Sequence, residues 1–313
     1  MNPMPNNPPA PPKAAEPSFR VLLTGSTGTV GSAVLELLAS DSRFEVHAIV
    51  RRPQLSGGRW VEHVFDLSRD DFIGPLSHLE FDYIIDCAQP RYEEAGTWEY
   101  FGVEHLQKLE ALCTERTRRL VHTGGVWVFG NQPAGSSIDE GTPLNPLGYA
   151  RPGVPTLAHV VRPSRFPWVQ LCLPSIVYGT RGPLVGIKDA VVRGASMVID
   201  DPSIECSVIE RTDLAGAYLA VLEASFAERF FVVAEPAAVP RLSLYGIVAE
   251  ILGVPFSAKP RDAVSIGLSK EEFEVASASQ PVDSRLIRMR TSWSNRFTFR
   301  TDVRSLLGFS TPC

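Results

Sequence analysis

Glycines 25, 28 and 31, in Thr24-Gly25-Ser26-Thr27-Gly28-Thr29-Val30-Gly31, are the residues whose type and spacing point most directly to chemistry. Between a strand and a helix, the first glycine of such a set makes a sharp turn. The second lets the backbone approach a pyrophosphate, and the third lets the helix pack closely on the strand. Free N–H groups and the positive end of the helix dipole then face the phosphates. The apolar run Phe19 to Leu23 precedes the glycines, and a helical pattern from about Val30 to Ala39 follows them. Those flanks are what a dinucleotide-binding unit demands. Gly25, Thr27, Gly28, Thr29, Val30 and Gly31 are therefore the candidate cradle for a dinucleotide.

The adenosine end of such a cofactor lies beside the end of the second strand, about 20 residues past the glycines. A carboxylate there would bond the ribose hydroxyls and repel a 2′-phosphate. This chain has Val50-Arg51-Arg52 instead, Arg51 falling 20 residues after Gly31. Guanidinium forks suit a phosphate, so NADP(H) is expected in preference to NAD(H).

The elements that must position these groups alternate along the chain. Glu45–Val50, Trp60–Phe65, Phe81–Cys87, Arg119–Thr123 and Trp168–Leu173 read as strands, apolar enough to be covered on both faces. An amphipathic segment at about 98–116 and a short helical stretch near 156–162 fall between the later ones. Further on, 186–194, 212–224 and 242–252 read as helices and Cys206–Ile209 and Phe230–Val233 as strands, with Gly253 as a C-cap. The pattern predicts an α/β fold, a doubly wound parallel Rossmann sheet with a smaller C-terminal substrate lobe. Residues 18–178 and 207–234 would form the dinucleotide-binding domain, and 179–206 with 235–313 the substrate lobe.

Composition fits that class. The 313 residues carry 30 Lys+Arg against 35 Asp+Glu, a balance that gives no sign of a nucleic-acid or anionic-membrane partner. No apolar run approaches the roughly 18 residues of a membrane span. The Pro- and Asn-rich stretch 1–17 lacks the apolar core of a signal peptide and is expected to be a disordered tail. Cys87, Cys113, Cys172, Cys206 and Cys313 show no paired spacing, so neither a metal site nor a disulfide framework is expected, and a cytoplasmic location fits.

Several motifs in order resemble the extended short-chain dehydrogenase/reductase superfamily, its epimerase/dehydratase branch. They are the glycine turn, Asp66-Leu67, the run Arg119 to Gly130 (R-L-V-H-T-G-G-V-W-V-F-G), P-L-N-P-L-G-Y at 143–149, L-P-S-I-V-Y-G at 173–179, and Asp213-Leu214-Ala215. The resemblance covers Phe19 to about Gly253. It implies that Asp66 meets the adenine amino group and that Leu67 flanks the ring. It also implies that Cys87, Ala88, Gln89, Tyr149, Pro174 and Ile176 line the cofactor, and that the protein forms a homodimer through two packed helices.

Family members use a Ser/Thr, a Tyr and a Lys. The Tyr passes the proton, the Lys four residues later lowers its pKa, and the Ser/Thr bonds the substrate oxygen. Tyr149 stands where the Tyr belongs, 24 residues after Gly125, but the Ser/Thr position is Gly125 and the Lys position is Gly153. The run 150–155, with two prolines and a glycine, is not expected to be helical. Tyr149 and Thr123 are the catalytic candidates, with Arg151, His122, Tyr178 and His159 as weaker ones. His122 alternates with Thr123 and should face the other side of the sheet. Gly125, Val126, Trp127 and Tyr178 are expected to line the substrate pocket, with Phe129, Tyr92, Trp98 and Phe166 behind them.

These residues predict an NADP(H)-dependent oxidoreductase of secondary metabolism, reducing a carbonyl or conjugated ketone of a hydrophobic, even aromatic, small metabolite. The alternatives are a redox-neutral isomerase, cyclase or dehydratase using Tyr149 and Asp86, and a non-catalytic NADP(H) sensor.

Overall fold

The structure is a computed structural model describing residues 18–53, 58–68, 71–88, 91–94, 97–100, 102–151, 153–162, 169–179, 199–225, 227–258 and 270–306. Seven parallel strands form its central sheet: β1 (Phe19–Thr24), β2 (Phe44–Val50), β3 (Trp60–Val64), β4 (Tyr83–Asp86), β5 (Arg119–Thr123), β6 (Val169–Pro174) and β7 (Phe230–Val233). Their order is β7-β6-β5-β4-β1-β2-β3, so the chain starts in the middle, winds to one edge and then crosses to the other.

The apolar runs are continuous because both faces are buried. In β1, Val21 and Leu23 join a core containing Val34 and Leu38 of helix α1 (Thr29–Ser40). Leu22, between them, joins the opposite core with Leu106 and Leu109 of α2 (Gly102–Glu110) and Leu157 and Val160 of α3 (Gly153–Val161). This is the period of two of a strand sorting side chains between two helical layers. Helix α4 (Arg211–Glu223) completes the first layer beside α1. Parallel strands with helices on both faces put every strand's C-terminal end on one rim.

Three expectations change. The segment 98–116 is not one helix: Thr97–Tyr100 pairs antiparallel with Arg91–Glu94, and α2 begins only at Gly102. Helix α3 begins at Gly153, earlier than predicted, because Pro155 falls in its first turn, where a missing N–H costs nothing. The strand at 206–209 is two pieces, Glu205–Cys206 against Val239–Pro240 and Val208–Glu210 against Ile176–Tyr178. The helix expected at 186–194 lies outside the described residues.

Past β6, the chain leaves the sheet and returns for β7, after which helix α5 (Arg241–Leu252) packs on a third apolar cluster with Tyr178, Leu244 and Phe299. One carboxylate ties the C-terminal stretch to the sheet layers. Asp213, in the first turn of α4, accepts from Arg296 N (2.8 Å), Arg296 Nε (3.1 Å) and Phe297 N (2.8 Å), while its carbonyl accepts from Trp293 Nε1 (2.8 Å). The Asp213 carboxylate is buried, so its removal strands the Arg296 and Phe297 donors and leaves the Trp293 bond to the main chain. Asp213→Ala is expected to destabilise the protein by about 3 kcal/mol, read as a lower urea midpoint with an unchanged m-value.

Candidate functional site

The glycine turn lies where β1 passes into α1. Gly25 has φ +65°, a left-handed conformation that disfavours side chains, and a Cβ there would sit 2.5 Å from the Cys87 carbonyl carbon. A Cβ on Gly31 would overlap the Gly25 carbonyl oxygen. The turn is thus pressed against the loop leaving β4 on one side and the first turn of α1 on the other. Gly28 is the N-cap of α1; it offers no capping side chain, and no acidic residue sits in the first turn. An anion approaching this helix end meets peptide N–H groups and no competing carboxylate. Thr27 is exposed and Thr29 and Val30 half-buried around this end.

Beneath the turn lies a fully buried polar cluster. Asp86, the last residue of β4, accepts at Oδ1 from Thr24 Oγ1, from His105 Nε2 (3.0 Å) and from Ala88 N (3.2 Å), and at Oδ2 from His122 Nδ1 (2.5 Å). Burial alone would raise the Asp86 pKa; the charges and hydrogen bonds of His105 and His122 outweigh it and hold the carboxyl well below the usual range. His122 does face away from Thr123. The Thr123 hydroxyl shares a hydrogen with Tyr218 OH at 2.6 Å and reaches Cys87 Sγ at 3.5 Å. Burial pushes the Cys87 thiol up to about 12, so it is no nucleophile at neutral pH.

At the adenosine side, the Phe65 N–H donates to Val50 O (3.0 Å), setting Arg51 and Asp66 side by side past the ends of β2 and β3. Arg51 and Arg52 are exposed. The half-buried Asp66 carboxylate accepts from Ser68 N (3.0 Å) and Ser68 Oγ (2.6 Å), and Leu67 packs on the second core. Gln89 and Phe166 lie outside the described residues, as do the side chains of Tyr92, Trp98 and Tyr149.

The positions that carry catalysis in the resembling family come together around one short 3₁₀ turn, Val126–Phe129, that follows β5. Gly125 is its N-cap. Asn145 N and Leu147 N donate to Val128 O (3.2 Å) and Trp127 O (3.3 Å), which brings the turn Gly148–Ala150, with Tyr149 at its centre, alongside. A Cβ on Gly153 would touch Val128 Cγ1 at 3.4 Å, and one on Gly125 would touch Trp127 Cδ1 at 3.5 Å. Neither glycine has a positive φ. The backbone therefore accepts a side chain at both places, and the missing Ser and Lys are not excluded by geometry.

The chain past β7 supplies residues that the sequence did not reveal. Gln280 Nε2 donates to Gly130 O (3.0 Å), Arg241 lies over the Trp127 ring with Cζ 5.7 Å from its centroid, and Glu274 Oε2 accepts from Gly148 N (2.9 Å). Their positions, more than a hundred residues from the turns they hold, carry no local signal. Val126 is buried and Trp127 half-buried. Tyr178, expected in the pocket, is instead a core residue: it has no exposed surface, packs edge-on against Phe299, and donates to Glu235 Oε1 at 2.5 Å. Its burial and hydrogen bond to Glu235 push its pKa up. Pro174 is buried at the end of β6, and Ile176 packs half-buried on the cluster around Tyr178. His159 pairs with Glu110 (3.0 Å), and Arg151 is exposed. Among the described residues, no three His, Cys, Asp or Glu side chains are placed to hold a metal, and no helix is long and apolar enough to cross a membrane.

The close packing of the turn makes a sharp expectation. Gly31→Ala must displace the Gly25 carbonyl, so it should lower Tm and also reduce affinity for a nicotinamide dinucleotide, measured by calorimetry on the folded fraction, at least roughly tenfold, about 1.4 kcal/mol.

Residues 21–152 match the model of the NAD dependent epimerase/dehydratase family. No curated protein matches the sequence. The fold is similar to that of UDP-glucuronic acid 4-epimerase from Bacillus cereus, solved with UDP-glucuronic acid and NAD (TM-score 0.70, 15% identity, covering 92% of this chain and 97% of that one). It is also similar to MoeE5, solved with UDP-glucuronic acid and NAD (0.70, 20%, 92% and 97%). A third likeness is to the ADP-L-glycero-D-manno-heptose-6-epimerase of Helicobacter pylori (0.73, 13%, 94% and 96%). At such identities these structures speak for the fold. Residues 21–152 thus resemble the NAD dependent epimerase/dehydratase family, and the chain shares the Rossmann-type α/β fold of these epimerases.

Proposed function

We propose that the chain is an NAD(P)-dependent enzyme of the epimerase/dehydratase type whose overall reaction is redox-neutral, on an anionic substrate such as a sugar nucleotide. The observation that carries this reading is the glycine turn, where Gly25 and Gly31 admit no side chain and α1 presents an uncapped N-terminus. The family that residues 21–152 resemble and the epimerases of similar fold favour a redox-neutral outcome over the net carbonyl reduction expected from the sequence. The substrate wall also differs from that expectation. Arg241 stacked on Trp127 makes it cationic as well as aromatic, which suits a phosphate or carboxylate better than a purely hydrophobic metabolite.

When bound, the dinucleotide supplies a hydride acceptor that later acts as donor. The chain's own residues hold and orient. The first turn of α1 takes the pyrophosphate, and Tyr149, on the turn that Glu274 fixes through Gly148 N, passes the proton of the reacting hydroxyl. With Gly153 where the resembling family has its Lys, turnover depends more on orientation and on an acidic substrate proton. Arg51 and Arg52 favour NADP(H) through its 2′-phosphate, although the similar structures hold NAD.

Two measurements test this. Incubation with UDP-glucuronic acid or UDP-glucose and catalytic dinucleotide should give a rearranged or dehydrated sugar nucleotide without build-up of reduced cofactor. Tyr149→Phe should slow it by roughly a hundredfold or more. Stoichiometric consumption of reduced cofactor by a hydrophobic ketone would instead return the chain to the reductases. Arg51→Ala with Arg52→Ala should weaken NADPH roughly tenfold and leave NADH within about twofold; a wild-type preference for NAD(H) removes the role of these arginines.

A further inference from the structure

We infer that Asp86, with Thr24, is a positioning pair that sets the dinucleotide cradle, and that His105 and His122 are there to hold its charge in place. This rests on the reading of the glycine turn as a dinucleotide site and says which buried groups shape it.

The cradle has two walls, the Gly25 turn after β1 and the Cys87–Ala88 loop after β4. They touch: a Cβ on Gly25 would lie 2.5 Å from Cys87 carbonyl atoms and 2.6 Å from Ala88 N. Asp86 grips both. Its Oδ1 takes the Thr24 hydroxyl, from the residue just before Gly25, and the Ala88 N–H, from the opposite wall. The Ala88 N–H is also directed at Thr24 Oγ1 (3.3 Å), and Cys87 N donates to Thr24 O (3.3 Å), so the triangle closes. A carboxylate is needed because every neighbour is a donor, which a carboxylate alone can satisfy with both oxygens.

The two imidazoles fix that carboxylate from outside the cradle. His105 comes from α2 and His122 from β5, both almost fully buried. His105 Nδ1 has no hydrogen-bond partner among the described residues, so the ring's polar tie to the cluster is the one Nε2 makes to Asp86. A buried carboxylate without such partners would be forced neutral or would draw in water. Asp86 with its two histidines instead keeps a fixed charge at the floor of the cradle, and the spacing of the walls follows from it. None of these side chains reaches the surface, so none is a catalytic residue.

The test is dinucleotide affinity beside thermal stability in the full chain, using NADH and NADPH as probes. Thr24→Val removes the hydroxyl but keeps the shape and the strand preference; Thr24→Ser restores the hydroxyl; Asp86→Asn removes the charge. Thr24→Val and Asp86→Asn should each weaken the better-bound probe roughly tenfold in folded protein, the double variant should be little worse than either, and Thr24→Ser should bind like wild type. A merely structural tie would lower Tm and leave the Kd of the folded protein unmoved, and that result overturns the inference while the dinucleotide reading stands. A wild-type chain that binds neither probe overturns both. If Asp86→Asn does not fold, the comparison of Thr24→Val with Thr24→Ser decides.

Discussion

A carboxylate with no solvent exposure sits at the C-terminal rim of the sheet, and the structure around it is arranged to satisfy it. Asp86 has donors from β1, from its own loop, from α2 and from β5. Burying an uncompensated charge would cost several kcal/mol, so these elements are not free to shift independently. That constraint explains why the Gly25 turn lies against Cys87 and Ala88 with no room for a side chain. It also explains the two faces of β5, where His122 serves the buried charge and Thr123, one residue on, turns to Tyr218 and Cys87.

The same rim separates what binds from what reacts. The groups that would hold a dinucleotide are tightly packed backbone, with glycines that nothing larger can replace. At the Val126–Phe129 turn, Gly130 is as confined, with φ +66° and a Cβ position 1.9 Å from Asn145 O, whereas Gly125 and Gly153 stand where the backbone has room for side chains. The two positions with room are the ones where the resembling family carries its Ser/Thr and Lys, so on the proposed function the departure lies in proton handling and not in the glycine turn. On the proposed function, Tyr149 would then depend on orientation, and Glu274 holds the turn that carries it through Gly148 N.

What could be read in the sequence was what is local. Three glycines between an apolar run and a helical pattern state their own steric reasons, and strands buried on both faces announce a parallel sheet. The alternation of His122 and Thr123 was legible because a strand has period two. The partner of His122 was not, since Asp86, His105 and His122 lie on three separate elements that only the topology brings together. Tyr178 misled for a related reason: it follows the run that lines the site in the resembling family, but the strand pairing of Ile176–Tyr178 with Val208–Glu210 turns it into the third core. The helical periodicity at 98–116 hid a hairpin because its first residues pair with Arg91–Glu94, a long-range choice that overrides local pattern. At Gly153 the composition argued against a helix, yet prolines hurt only past the first turn, and Pro155 lies within it.

The chain past β7 reaches back to the turns that follow β5. Three of its residues meet those turns: Gln280 through the Gly130 carbonyl, Arg241 over Trp127, and Glu274 through the Gly148 amide. An aromatic wall by itself would accept any flat apolar ring. Arg241 is nearly fully buried and donates to Ala278 O (3.1 Å), so its charge is fixed inside the protein beside the Trp127 ring, where it favours an anion over a neutral ring nearby. On the proposed function, selectivity would be set by residues past position 240 and not by the sheet, and those residues, unlike the glycine turn, carry no local signal in the sequence.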